Sequence, residues 1–73
     1  MIVSYKKLWK LLIDKDMKKK DLVEVSGISW ATMTKMSRGE TVSTEVLMKI
    51  CMELHCDVGD IVEFIKQEED DND

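Results

Sequence analysis

The stretch GISWATMTKMSRGE, residues 27–40, decides how this chain is read. Ser29 suits a helix N-cap, because its hydroxyl can accept from a backbone N–H that the first turn leaves unpaired. Residues 30–37 then form a short helix, and Gly39 closes it. At about 100° per residue, Trp30, Ala31, Thr34, Lys35 and Arg38 cover one contiguous arc, while Met33 and Met36 point the opposite way. Two methionines are little core for a whole helix in a small protein. The other face is left for another purpose.

The flanking sequence places this helix within an all-α fold. Upstream, Ser4 can cap a helix through Lys15, with Tyr5, Leu8, Leu11 and Leu12 at helical spacing and Trp9 and Ile13 widening the stripe. A second helix follows over residues 19–25 with Leu22 and Val23 inward, and Gly27 suits the left-handed conformation that stops it. Downstream, Ser43 or Thr44 caps a fourth helix over residues 45–54, with Val46, Leu47, Ile50, Cys51 and Leu54 as its apolar face. Asp57 caps a fifth, with Asp60 in its first turn and Val58, Ile61, Val62 and Ile65 as its stripe. No run alternates apolar and polar residues over strand length, so five helices with short connections are expected. Met17, Met48 and Met52 are expected to fill gaps in the core or at its rim.

Seventy-three residues allow one domain with a small core. It is expected over residues 1–66, followed by an acidic tail, 67–73, too polar to bury anything and read as disordered. That tail is expected to be a solubilising terminus; as an acidic strip it could instead compete with a polyanionic partner for basic residues elsewhere on the chain. The longest apolar runs are far short of the ~20 residues a membrane-spanning helix needs. The N-terminus lacks the pattern of a secretory signal, so a cytoplasmic location is expected, with Cys51 and Cys56 as reduced thiols.

The net charge of −4 hides a strong asymmetry. Residues 1–38 hold nine Lys or Arg against four acids; residues 39–66 hold two against six; residues 67–73 hold five acids and no base. A basic front joined to an acidic back says more about partners than the sum does.

The free arc of the third helix suits the major groove of double-stranded DNA. Lys35 can donate to guanine acceptors, and the methyls of Ala31 and Thr34 can meet the thymine methyl. Arg38, at the helix end, can reach a phosphate, and Ser29 with the first amides can donate to another. Lys18, Lys19 and Lys20 oppose the dipole at the start of the second helix, a penalty that a bound phosphate would reverse. Trp30 has two readings: it packs over the start of the second helix, or it projects toward DNA.

The run MKKKDLVEVSGISWATMTKMSRGE resembles the helix-turn-helix of the Cro/lambda-repressor type, the XRE family. Leu22, Gly27, Ile28, Met33 and Met36 stand at the motif's core and turn positions, and VSTEVLMKICMELHCDVGDIVEF looks like the family's last two helices. The resemblance covers residues 5–65. It implies a five-helix fold and transcriptional regulation, with a repressor as the expected role. By position it implies base reading at Lys19, Trp30, Ala31 and Lys35, and phosphate contacts at Lys18, Ser29, Thr32 and Arg38. Val23 stands where relatives usually carry alanine, and GETVS lacks the extra basic residues many relatives hold there, which implies weaker phosphate anchoring.

A homodimer on a symmetric site is expected, since one such domain makes few contacts. Its surface could come from Trp9 and Ile13, from Phe64 and its neighbours, or from MIVSY pairing as a short strand. The competing class is a protein-interaction adaptor or antirepressor that uses Trp30 as its anchor. CMELHC offers Cys51, His55 and Cys56, but a second Cys/His pair is missing, so buried free thiols are expected and no metal or other cofactor. The single histidine and the lack of a phosphate-binding glycine loop or a Ser/His/Asp grouping argue against an enzyme. No small-molecule ligand is expected.

Overall fold

A computed structural model describes residues 1–67, so residues 68–73 of the expected disordered tail lie outside the described residues. The elements run β1 (Ile2–Ser4), α1 (Lys6–Asp14), α2 (Lys19–Ser26), α3 (Trp30–Ser37), α4 (Thr44–Leu54), a 3-10 turn (Val58–Asp60) and β2 (Glu63–Ile65).

Capping chemistry sets most of the boundaries. The Ser29 hydroxyl accepts from the Thr32 N–H at 3.1 Å, and Ser43 does the same for Val46 at 3.2 Å. Each such cap is worth about 1 kcal/mol. α2 ends at Gly27, whose φ of 75° lets its N–H donate to the Val23 carbonyl at 3.0 Å. α4 instead ends on His55 at φ 54°, a conformation that side chains other than glycine's rarely adopt. At α1 the cap differs from expectation. Ser4 ends β1 and is buried, Tyr5 takes the cap position, and the Ser4 hydroxyl accepts from the Lys6 N–H at 3.3 Å.

The core is one cluster that draws on every helix. α1 supplies Leu8 and Leu12, α2 supplies Leu22, α3 supplies Met33 and Met36, and α4 supplies Ile50 and Leu54. Tyr5, Ile28 and Ile61 complete it from the connections.

The expected fifth helix does not form, and the described residues contain four α-helices. Asp57 does cap the segment: its carboxylate accepts from Val58, and Asp60 accepts from the Asp57 N–H at 2.9 Å. The helix lasts one 3-10 turn. The chain then extends and pairs with β1 in an antiparallel ladder, Ile2 opposite Ile65, Val3 opposite Phe64 and Ser4 opposite Glu63. The β-branched Ile61, Val62 and Ile65 favour extended backbone, and Gly59 weakens a helix that would have to run through it. The fold is therefore mostly helical with a two-stranded sheet. MIVSY does form a strand, but its partner is the same chain.

One further expectation is corrected. Met48 and Met52 are not core; they lie one turn apart on the outer face of α4 and are strongly exposed. Met17 is half-buried against the core as expected. Among the described residues no helix is long and apolar enough to cross a membrane.

Candidate nucleic-acid interface

The outward face of α3 is built from below. Met33 and Met36 are both 1% exposed and fix the helix rotation about its axis. Every residue on the opposite arc then faces outward: Trp30, Ala31, Thr34, Lys35 and Arg38 are all exposed. Trp30 is 55% exposed, so it is not packed away over the start of α2.

The polar atoms of this face are largely oriented by the helix itself. The Thr34 hydroxyl donates to the Trp30 carbonyl at 2.9 Å, which leaves its oxygen as an outward acceptor. The Ser29 hydroxyl donates to the Thr32 hydroxyl at 3.0 Å while accepting from the Thr32 N–H, so both side chains cluster at the start of α3. Thr32 is half-buried, and the other expected contact residues are exposed. Arg38 reaches Glu40 at 3.8 Å with both side chains well exposed, a pair too solvated to hold the guanidinium firmly. Lys35 has no ion-pair partner among the described residues.

Both flanks of the arc carry further polar groups. On one side α3 and the start of α4 enclose an open groove of about 430 Å³, lined by Thr32, Lys35, Thr41, Val42, Ser43 and Val46. On the other side stands α2. The Lys18 backbone N–H donates to the Asp21 carboxylate at 2.8 Å, and this negative charge in the first turn offsets the lysines that oppose the dipole there. The Lys18 side chain is exposed.

Lys19 is engaged in a way the sequence reading misses. Its ammonium lies 4.4 Å from the centroid of the Trp9 ring and donates to the Ser37 hydroxyl at 2.9 Å. A cation over an indole face is worth about 0.5–1 kcal/mol at an exposed site. Trp9 in turn sits against Tyr5, ring centroids 6.4 Å apart, and the Tyr5 hydroxyl donates to the Glu40 carbonyl at 2.7 Å. Tyr5 is 3% exposed, and burial pushes its phenol above the ordinary tyrosine pKa. From sequence, Trp9 belongs to the apolar stripe of α1 and Ser37 to a helix end. Only the tertiary fold brings them to Lys19. With Lys19 over it, Trp9 is half-buried and makes a poorer dimer surface than its sequence position suggests.

The expected free thiols are present and half-buried. Cys51 is pushed up to about 11, first by burial and then by the neighbouring Cys56, Asp57 and Asp60. Among the described residues no cluster of three or more His, Cys, Asp or Glu could hold a metal ion.

Residues 7–67 match the family profile of the Cro/C1-type HTH DNA-binding domain. Among solved structures, the crystal structure of the transcriptional regulator VanUg, form II, superimposes with a TM-score of 0.87 at 53% sequence identity, covering 90% of this chain and 88% of that one. The search of curated proteins returned no match.

Proposed function

The chain belongs to the Cro/C1-type family of helix-turn-helix DNA-binding domains, and from that premise we propose that it is a small cytoplasmic transcriptional regulator that represses by occupying its operator. α3 enters the major groove. The observation that carries this reading is the exposed arc of α3, which presents a cation without an ion-pair partner among the described residues, two methyls and an indole over an anchor of two buried methionines. The similarity to a transcriptional regulator supports a role in regulation.

Within this reading Trp30, Ala31, Thr34 and Lys35 meet base edges. Lys18, Ser29, Thr32 and Arg38 meet phosphates, and Lys19 stands at the rim between the two sets. The domain spans residues 1–66. Two copies bind half-sites about one helical turn apart, because one α3 touches too few base pairs for tight specific binding. Ile13 and Phe64 remain exposed and open to a second copy.

Selection from a random duplex pool, at low and at near-physiological salt, tests this. An enriched inverted repeat with half-sites about one turn apart is the expected result. Binding without enrichment that vanishes with salt would reduce the protein to a backbone binder. No binding at either salt would overturn the DNA reading and turn attention to Trp30 as an anchor for a protein partner.

A further inference from the structure

The ammonium of Lys19 is held from two sides, at 4.4 Å by the Trp9 ring of α1 and at 2.9 Å by the Ser37 hydroxyl of α3. At about 100° per residue Ser37 falls about 20° outside the arc of α3, between Trp30 and the buried Met33. A cation there lies on the rim of the reading face. In a major groove the rim of the inserted helix meets the phosphate wall, while the centre of its face meets base edges. A lysine ammonium has three donors, and Ser37 takes one.

We propose that Trp9 is a positioning residue for DNA binding: its ring holds the Lys19 ammonium beside Ser37, so that Lys19 meets a backbone phosphate instead of reading a base. The inference rests on the DNA reading of α3 and changes the role that family position implies for Lys19. The hold matters because lysine is a long chain with several rotors. A free Lys19 would lose that freedom on meeting DNA, whereas here two contacts already bias its ammonium toward one place. The same arrangement ties the end of α3 back to α1 twice. Lys19 and Trp9 close on Ser37, and Tyr5, packed on Trp9, closes on Glu40.

The test compares wild type with Trp9→Leu, Lys19→Met, the double variant, Trp9→Phe and Ser37→Ala on one selected duplex over a range of salt. Melting curves establish that each variant is folded. Lys19→Met should weaken binding roughly three- to tenfold and flatten the slope of log K against log salt by about 0.9, the signature of one lost phosphate contact. Trp9→Leu should do nearly the same. The double variant should bind no worse than Lys19→Met, since Trp9 acts through Lys19. Trp9→Phe, which keeps an aromatic face, should retain most of the slope.

Trp9→Leu with the wild-type slope would overturn the proposal, as would losses in the double variant that multiply. If Trp9→Leu does not fold, Ser37→Ala decides instead. It should flatten the slope part of the way, and an unchanged slope would overturn the proposal. The methylene protons next to the Lys19 nitrogen give a readout that needs no DNA. They should be shifted upfield by the indole ring in wild type and return to ordinary positions in Trp9→Leu. An unshifted wild type would overturn the hold itself. Failure of wild type to bind any duplex would instead bring down the DNA reading, and this inference with it.

Discussion

α3 and α4 are built with the same devices and do different work. Each begins on a serine whose hydroxyl accepts from the third residue onward, each buries two apolar side chains, and each is followed by a residue in the left-handed conformation. They differ in what they turn outward. α3 presents Trp30, Thr34, Lys35 and Arg38; α4 presents Met48, Met52 and the Glu45–Lys49 pair. Inward residues and caps therefore describe how a helix is held. The outward residues on α3 are the ones that suit nucleic acid. The family match supports that reading, but it covers both helices equally and does not assign the individual contacts.

The largest expected effect tests the shared part. Met33→Ala and Ile50→Ala both empty fully buried positions and should each cost about 2–5 kcal/mol in urea unfolding. For a domain this small that is a large part of the total stability. If one cost far less than the other, the two helices would not be equally held.

The next tests what separates them. Lys35→Met on α3 should lose about 1–3 kcal/mol of DNA binding and relax the preference at one base position. Lys49→Ala on α4 should leave DNA binding unchanged, since it removes only an exposed pair at 3.8 Å. Equal losses from both would erase the distinction drawn between the helices.

Smaller still are the caps. Ser29→Ala and Ser43→Ala should each lower stability by about 1 kcal/mol in thermal unfolding. Ser29→Ala should weaken DNA binding as well, through its place at the start of α3.

The last prediction concerns α4 and is read at alkaline pH. The folded Cys51 thiol is raised from 9.0 to about 11, chiefly by burial. A group raised in the folded state contributes its full stability below the unfolded value and loses it as pH climbs through the folded one. The unfolding midpoint should therefore fall across pH 9.0 to about 11, and Cys51→Ala should flatten that fall. Tyr5, also raised, would remain as a weaker source of alkaline sensitivity.

Much of this was legible in the sequence for physical reasons. The 3.6-residue period, Ser29 and Gly27 place α1 through α4 to within about a residue at most ends, because capping and burial act locally. The arc of α3 was legible for the same reason. The fifth helix misleads because Val58, Ile61, Val62 and Ile65 fit helical spacing, yet Ile61 alone among them is buried. Strands of three residues are too short to show alternation, and their pairing joins residues about sixty positions apart. Met48 and Met52 lie off the stripe of α4 that contains Ile50 and Leu54, and their spacing alone could have excluded them from the core. Lys19 could not have been placed. Its partners come from two other helices and are joined to it only when the core assembles.

The pairing of β1 with β2 has a kinetic consequence. The ladder closes nearly the whole chain into one loop, while the helices form from residues close in sequence. Closing a long loop costs entropy that a helical turn does not, so the ladder is the last element to form and the first to open. All three residues of β2 are exposed, and β1 runs from exposed Ile2 to buried Ser4. Amide hydrogens there should exchange with solvent well before those of Leu22 or Ile50, which are fully buried.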